Sequence, residues 1–387
     1  MNRDWQKIRL KEIGSVCMCK RILKHQTNTE KGVPFYKIGT FGKKADAFIS
    51  EELYKKYKNK YNYPEKGDIL ISAAGTLGET VVYDGNPAYF QDSNIVWLKH
   101  DNTKAINKFL LYVYAMKPWK VPESSTIPRL YNDNILNTYI LLPPLAEQEK
   151  IAEILGTWDS AIEKLTALIA AKHLQKKGLM QKLLIAQIRL PGFTGEWQKV
   201  KLGDACTTFS GGTPSKSEKE YWAKKDIKWI SARYIDDDKI TGYDFISQKG
   251  FENSTAKLAL KGDIILVTRV SVGKIVICKE TFAVNQDMTV IRPNDASICF
   301  IYNTLKMKIA EIIDKSQGLA IKGITKQTLN GVTLKLPPLS EQKAIADILS
   351  KADEEIDLLT RKLNLLQSQK KGLMQQLLTG KIRVKVA

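Results

Sequence analysis

Apolar residues alternate at spacings of four and three through two segments of the chain, one after residue 143 and one after residue 337. This heptad pattern predicts helices that pack against a partner helix along an apolar seam. Each segment follows two prolines and carries Glu-Gln in its first turn, as helix starts often do. Each helix would span about 40 residues, or roughly 55–60 Å. The predicted seam consists of Leu155, Trp158, Ile162, Leu165, Ile169, Leu179 and Leu183 in the first helix, and of Leu349, Ala352, Ile356, Leu359, Leu363, Leu366, Leu373 and Leu377 in the second.

The charge pattern of these helices predicts how they pair. Both carry their acidic residues in the front half and their basic residues behind, which suits the dipole of each helix. A parallel pair would place like charges side by side, whereas an antiparallel pair places acidic halves against basic ones. We therefore predict an antiparallel coiled coil. Two unrelated surface helices, with charges that suit only their own dipoles, are the alternative. Lys176 and Lys370 occupy matching seam positions, where a lysine either fixes the register or extends its stem to water.

The two helices are copies of each other. Residues 142–189 align with residues 336–383 at a shift of 194, without gaps, and 25 of 48 positions are identical. Weaker similarity continues upstream, where Gln91-Asp92 corresponds to Gln286-Asp287. The chain is thus predicted to be a tandem duplication with an internal pseudo-twofold repeat. Its predicted parts are a globular region at 1–143, a long helix at 144–190, a second globular region at 191–337 and a second long helix at 338–387.

The globular regions show the shorter periods of a mixed α/β fold. Short β-branched runs such as "GDILIS", "NIVWLK", "GDIILVT" and "DMTVIRP" are bounded by Gly, Asp and Asn, which predicts strands. The stretches "NKFLLYVYAMK" and "CFIYNTLKMKIAEIID" predict helices. Glycines in "GTLGE" and "VSVGK" predict a hairpin between two strands of each copy, either as a plain turn or as a close approach to phosphate.

Composition adds a polyanionic partner to this fold. The 387 residues include 60 Lys and Arg against 41 Asp and Glu, a formal charge of +19. Nucleic acid is the commonest partner of such a chain, although a merely soluble basic protein is the alternative. Five scattered cysteines and three dispersed histidines predict neither a disulfide framework nor a metal site. The charged N-terminal stretch does not resemble a signal peptide, and no apolar run reaches the length of a membrane span, so we expect a cytoplasmic protein without a membrane partner.

Signatures of catalysis are missing from the sequence. It contains no phosphate-binding P-loop, no H-E-x-x-H motif and no nucleophile elbow. The run 236–238 of three aspartates is compatible with Mg²⁺ but favours a solvated turn. No catalytic residue is therefore predicted.

Polar and basic loops that carry aromatic residues, such as "FYKIGTFGKK" and "WISARYIDDD", are the candidates for DNA contact. Their side chains suit phosphates and base edges, although ordinary loop chemistry is the favoured explanation for any single one of them. The predicted DNA-binding residues are Lys37, Thr40, Lys43, Lys44, Thr76, Arg129, Lys216, Arg233, Tyr234, Arg269, Ser271, Lys274 and Lys322.

Four kinds of motif together resemble the specificity subunit of type I restriction–modification systems. They are "LPPLAEQEKIAEIL" with its copy "LPPLSEQKAIADIL", the repeated "QKKGLMQ", the junction "PGFTGEWQKVKLGD", and "FSGGTPS". The resemblance covers essentially the whole chain. In the first copy, "VCMCKRILKHQ" replaces the Gly-Gly-Thr-Pro loop, so contacts of that loop do not transfer to it.

The resemblance implies two target-recognition domains that each read one half of a split double-stranded DNA sequence. It also implies that the antiparallel helices space these domains and dock the modification (methyltransferase) subunits. The chain itself would bind no cofactor. S-adenosylmethionine would belong to the modification subunits, and ATP and Mg²⁺ to the restriction subunits. A stand-alone DNA enzyme and a coiled-coil scaffold that binds only protein are the alternatives; catalytic turnover by the purified chain would indicate the first, and the absence of salt-sensitive DNA binding the second.

Overall fold

A computed structural model of the protein describes residues 5–119, 128–236, 238–314 and 323–386. The chain forms two compact units, one built from residues 1–165 and 362–387 and the other from residues 166–361. Each unit therefore contains one strand-rich region and a segment of each long helix. The predicted boundaries at residues 143, 190 and 337 divide the chain by sequence repeat instead, and they stay a prediction.

The described residues of the first strand-rich region form nine strands and three short α-helices, and the first long helix follows them. The strands are β1 (Gln6–Arg9), β2 (Ser15–Met18), β3 (Val33–Tyr36), β4 (Phe48–Ile49), β5 (Ile69–Ser72), β6 (Thr80–Val82), β7 (Tyr89–Phe90), β8 (Ile95–Lys99) and β9 (Tyr139–Leu142). The helices are α1 (Glu51–Lys60), α2 (Asn107–Ala115), α3 (Asn132–Leu136) and the long α4 (Leu145–Leu183).

In the second strand-rich region, the part of the chain that the structure describes forms twelve strands and five further α-helices, and the second long helix follows. The strands are β10 (Gln198–Lys201), β11 (Cys206–Ser210), β12 (Ile227–Ile230), β13 (Ile235–Asp236), β14 (Lys239–Ile240), β15 (Asp244–Ile246), β16 (Lys257–Ala259), β17 (Ile264–Val267), β18 (Ile275–Ile277), β19 (Phe282–Val284), β20 (Met288–Pro293) and β21 (Thr333–Leu336). The helices are α5 (Leu202–Ala205), α6 (Glu220–Ala223), α7 (Gln248–Glu252), α8 (Ile298–Asp314), α9 (Lys326–Asn330) and the long α10 (Leu339–Leu378).

The two strand-rich regions share one core topology, to which the second region adds β16 and the β13-β14 hairpin. An antiparallel sheet has the order β2-β8-β5-β6 in the first unit and β11-β20-β17-β18 in the second. A second sheet has the order β4-β3-β7 in the first unit and β15-β12-β19-β16 in the second. In that second sheet one pair runs parallel, β3 with β7 and β12 with β19. The duplication predicted from weak sequence similarity is therefore present in the strand order.

Apolar runs form the buried centre of each unit. All four residues of β5 are buried, as are all four of β17, because alternate side chains of each strand pack into two different apolar clusters, one on each face of the sheet. The front of α4 and the end of α10 bury Ile151, Leu155 and Leu377 in the same apolar cluster as β5 and α2. The long helices are thus packed into the cores through their ends.

The glycine hairpins are turns that pack against the protein's own side chains. Gly78 and Gly273 have φ values of +71° and +101°, which favour glycine. A Cβ on Gly78 would lie 2.4 Å from Nε1 of Trp119, and one on Gly273 would lie 2.6 Å from Cδ1 of Ile313. Of the two readings of these glycines, close packing within the unit is the one that the structure supports.

Candidate nucleic-acid interface

A cleft opens in the first unit where two parallel strands end. Because β3 and β7 run in the same direction, their carboxyl ends reach the same edge of the sheet. The peptide N–H of Gln91 donates to the carbonyl of Tyr36 at 2.9 Å, and its side-chain oxygen accepts from the peptide N–H of Ile38 at 2.9 Å. These bonds place Gln91 and Asp92 on the wall of an open cleft of about 790 Å³.

The second unit has a cleft at the equivalent place. β12 and β19 end together, and the peptide N–H of Asn285 donates to the carbonyl of Ile230 at 3.1 Å. Gln286 follows, and its side-chain oxygen accepts from the hydroxyl of Thr213 at 2.6 Å. The cleft that these residues line has a volume of about 390 Å³. The Gln-Asp pair that marked the repeat in the sequence thus marks the same structural position twice.

The linings of the two clefts differ in chemistry. The charged residues of the first are Arg21, Lys24, Lys37, Arg129, Asp46 and Asp92, a balance toward positive charge. The second offers Lys216, Arg233, Asp244 and Asp287, together with Ser231 and Asn285. Guanidinium and amide groups are the side chains that recognise base edges and phosphates. Two clefts of one origin thus present different hydrogen-bonding groups.

The cations of the clefts are held by ion pairs that water can reach. Arg21 Nε lies 2.8 Å from Asp92, Lys37 Nζ lies 2.9 Å from Asp46, and Arg233 Nη2 lies 2.6 Å from Asp244. The side chains of the two arginines are 67% and 64% exposed. The Lys37–Asp46 pair is exposed on both sides, so Lys37 exchanges its carboxylate for an incoming anion at low cost, whereas Asp92 is 14% exposed and holds Arg21 more firmly.

Four of the predicted DNA-binding residues line the clefts, two in each unit, and a fifth lies beside the second cleft. Lys37 and Arg129 line the first cleft; Arg129 Nη2 donates to the carbonyl of Ser93 at 2.7 Å. Lys216 and Arg233 line the second. Tyr234 lies beside Arg233, and its hydroxyl donates to Asp244 at 2.8 Å.

The other predicted residues lie outside the clefts. Thr40 caps the turn after β3 through the peptide N–H of Lys37, while Lys43 and Lys44 are exposed in the loop that follows. Thr76, Arg269 and Ser271 lie exposed in the glycine hairpins. Lys274 Nζ donates to the carbonyl of Ile235 at 2.8 Å and so braces the fold. Lys322 lies outside the described residues. Contact of any of these residues with DNA stays a prediction.

Several residues of the clefts were not singled out from the sequence as binding residues. Arg21 lies in the stretch that departs from the family pattern, where no contact was transferred. Asp92 and Asp287 were noted only as markers of the repeat. The recurrence of Gln-Asp at the same shift in otherwise divergent regions is the signal that identifies these positions.

The long helices are joined by ion pairs at equivalent positions. In the first unit Lys370 pairs with Asp159, and the buried Glu147 accepts from Arg383 Nε at 2.7 Å. In the second unit Lys176 Nζ lies 2.5 Å from Asp353, and Glu341 lies 2.6 Å from Arg189 Nη2. In both units the partner number falls as the residue number rises, so the helix segments run antiparallel. The predicted orientation is confirmed.

The predicted seam residues are buried or half-buried. Leu155, Leu165, Leu349 and Ile356 are buried, and Trp158, Ile162, Leu359 and Leu363 are half-buried. The two seam lysines extend to aspartates of the other helix rather than to water alone. A docking role for these positions stays a prediction.

No catalytic or metal chemistry is assembled among the described residues. No group of three or more His, Cys, Asp or Glu side chains there could hold a metal ion. Asp236 and Asp238 face Lys274 and Lys306. Burial raises the pKa of the Cys206 and Cys278 thiols to about 12, so neither is a thiolate at neutral pH. Among the described helices, none has the length and apolarity of a membrane span.

Comparison with known proteins identifies the repeat. The sequence model described as type I restriction modification DNA specificity domain matches the chain twice, over residues 2–172 and 194–368. A type I restriction enzyme specificity subunit from Methanocaldococcus jannaschii is 27% identical over 99% of this chain and 94% of that protein. Another specificity subunit, from Haemophilus influenzae, is 54% identical over 159 residues, which are 41% of this chain and 41% of that protein.

A solved structure shares the fold. The crystal structure of the S subunit of a type I restriction–modification system from M. genitalium superposes with a TM-score of 0.59, covering 97% of this chain and 96% of that one. The two sequences are 16% identical, so this likeness concerns the fold alone.

Proposed function

Because the chain belongs to the family of type I restriction–modification DNA specificity proteins, we propose that it is the subunit that directs such a complex to its DNA sequence. The resemblance read from the repeated motifs is confirmed by the two family matches. The chain is a recognition subunit without a catalytic site of its own. Its partner is double-stranded DNA, to which the formal charge of +19 attracts it.

Each cleft reads one half of a bipartite target. Two observations support this assignment: the clefts occupy the same position in both repeats, and their linings differ. Equivalent position gives both readers the same approach to the duplex, while different side chains select different bases. Arg129 in the first cleft and Arg233 in the second are the central donors, since a guanidinium binds guanine edges or phosphate in a bidentate manner.

The long helices set the distance between the half-sites and dock the partner subunits. The recurrence of "QKKGLMQ" at equivalent positions supports two like docking positions for modification subunits. Those methyltransferase subunits bind S-adenosylmethionine, and the restriction subunits use ATP and Mg²⁺; this chain binds no cofactor. The complex acts in the cytoplasm, where its DNA lies.

The double match to the specificity family is the observation that carries this proposal. The test is a map of adenine methylation in a host that expresses the chain together with its modification subunits. We expect one bipartite methylated motif, which disappears when the chain is omitted. Methylation that persists without the chain would contradict the assignment.

A matched pair of variants tests the clefts. Gln91→Ala and Gln286→Ala alter equivalent positions in the two units, so each serves as the control for the other. We expect the first variant to weaken the sequence requirement, or the extent of methylation, at one half of the motif only. The second variant should have the same effect at the other half. Loss of the same half in both variants would refute the division of labour.

A further inference from the structure

The two units differ most sharply in the helix that follows the outer strand of the second sheet. Each helix begins at a serine cap: the hydroxyl of Ser50 accepts from the peptide N–H of Leu53 at 3.2 Å, and that of Ser247 from the peptide N–H of Gly250 at 3.1 Å. Helix α1 then continues for ten residues, whereas α7 stops after five. The helices are equivalent at their starts, and only the first is extended.

The extension is rich in lysine. Helix α1 carries Lys55, Lys56, Lys58 and Lys60, all exposed, and among the described residues only Lys55 is in an ion pair, with Glu51 at 3.7 Å. The single lysine of α7, Lys249, pairs with Glu220. The first unit thus has uncompensated positive charge where the second is neutralised.

Two of the unpaired cations meet at one aromatic ring. Lys20 Nζ lies 5.4 Å and Lys60 Nζ lies 5.8 Å from the ring centroid of Tyr61, which is 36% exposed. Over the described ranges, neither ammonium group has a carboxylate within ion-pair distance. A cation–π contact leaves each ammonium group charged, so the charges of Lys20 and Lys60 both stay available to an anion. Lys20, Lys60 and Tyr61 together form the flanking site.

The flanking site adjoins the first cleft. Lys20 directly precedes Arg21, which lines the cleft, and the carbonyl of Lys20 accepts from the hydroxyl of Tyr89 at 3.1 Å. Tyr89 belongs to β7, the strand that delivers Gln91 and Asp92 to the cleft wall. The chain therefore places Lys20 at the border of the first cleft, next to Arg21.

We propose that the flanking site binds a backbone phosphate of DNA beside the first half-site, as a contact that holds the duplex without reading its sequence. This inference rests on the proposed DNA-reading function of the cleft. Two ammonium groups suit a phosphate, while the exposed ring offers no hydrogen-bonding pattern that distinguishes bases. Among the described residues of the second unit, the equivalent helix ends at Glu252 and its lysine is paired, so the grip on the two half-sites is unequal.

The test uses the full chain assembled with its modification subunits, as wild type and as the double variant K20Q/K60Q. Dissociation constants are measured from 50 to 200 mM salt for a duplex with the mapped target and for a scrambled duplex of equal length. Loss of one phosphate contact makes the plot of the logarithm of the binding constant against the logarithm of the salt concentration less steep, by about 0.9 in slope. The wild type should therefore lose about threefold more affinity than the variant across this range. Both duplexes should be affected equally, and the methylated motif should stay unchanged.

The control is Lys249→Gln, which removes the paired lysine of the equivalent helix and should leave the slope as in wild type. Thermal unfolding of K20Q/K60Q should match that of wild type, because both lysines are exposed; a lower midpoint with an unaltered slope would make the cluster structural and overturn the inference. Weaker assembly with modification subunits at unaltered DNA affinity would also overturn it. If the wild type shows no preference for its target over the scrambled duplex, the proposed function itself is contradicted.

Discussion

Glu147 and Glu341 are buried carboxylates at equivalent positions of the repeat. Each is held by an arginine that follows the C-terminal end of the other long helix. Glu147 accepts from Arg383 and from Trp5 Nε1, the latter at 3.2 Å; Glu341 accepts from Arg189 Nε at 3.0 Å and Nη2 at 2.6 Å. Buried charge is tolerated only when it is paired in this way. The guanidinium of Arg383 lowers the pKa of the Glu147 carboxyl below its usual 4.5. Each pair therefore anchors one end of the antiparallel arrangement.

Glu147→Gln should destabilise the first unit in a pH-dependent way. Because the pKa of Glu147 is lower in the folded chain than in the unfolded chain, its stabilisation is fully present above pH 4.5 and is lost as pH falls through the folded pKa. The variant should lose about 2 kcal/mol at pH 7, and the difference from wild type should shrink toward pH 3. Urea unfolding at both pH values measures this.

Glu149→Gln, at an exposed position of the same helix turn, is the control and should change the midpoint little at either pH. An equal deficit of Glu147→Gln at pH 7 and pH 3 would contradict the role of its charge.

At the scale of elements, one polar layer recurs along the helix pair. Lys176 meets Asp353 in the second unit, and Lys370 meets Asp159 in the first; the four residues are two pairs of repeat equivalents. In a parallel pair the two lysines would share a layer and repel each other. In the antiparallel pair each lysine meets the aspartate of the other copy. The layer thus favours one orientation and one register.

Reversal of one charge in this layer should destabilise the helix pair, and reversal of the partner charge as well should restore part of the stability. Lys176→Asp should lower stability by about 1–2 kcal/mol, since it places a third carboxylate beside Asp353 and Glu355. Adding Asp353→Lys should recover at least half of that loss. Denaturation of the wild type, both single variants and the double variant gives the coupling energy, and a double variant as unstable as the sum of the singles would show that the pair does not set the register.

Helix length should determine the spacing of the half-sites. A seven-residue insertion after Leu165 in α4 and another after Arg361 in α10 keeps the seam in phase and leaves each compact unit intact. Each helix gains about 10 Å, equivalent to about 3 base pairs of duplex. We expect the methylated motif to keep both halves and to gain about 3 base pairs between them. An insertion of four residues, which breaks the heptad phase, is the control and should impair assembly.

At the scale of the whole molecule, the two copies of the duplication keep the same scaffold but differ at their surfaces. Strand order agrees between the units, and so do the parallel pair that ends at the Gln-Asp positions and the ion pairs of the helices. The cleft linings and the helices α1 and α7 differ. This distribution is what a protein needs when one frame must carry two different readers.

Exchange of residues 1–143 for the corresponding region of another specificity subunit should change one half of the methylated motif and leave the other half and the spacer unchanged. The physical reason is that each cleft is built within one unit, so its lining moves with its own segment. Methylation mapping is the measurement. A change in both halves would show that the clefts do not read independently.

The sequence by itself determined the repeat, the two long helices and their opposed directions, because these follow from periodicity and from charge order, which are local properties of the chain. It also located some of the strands, among them β5, β8, β17 and β20, since short β-branched runs between turn residues have few other structures open to them. Only the tertiary structure decided which polar residues share a cleft. Arg21, Asp46, Gln91 and Arg129 are far apart along the chain and meet because β3 and β7 end at one edge. Likewise Lys20 reaches the ring of Tyr61 from a distant part of the chain, a contact that no local pattern encodes. Contacts of that kind depend on strand order, and strand order is a property of the packed molecule.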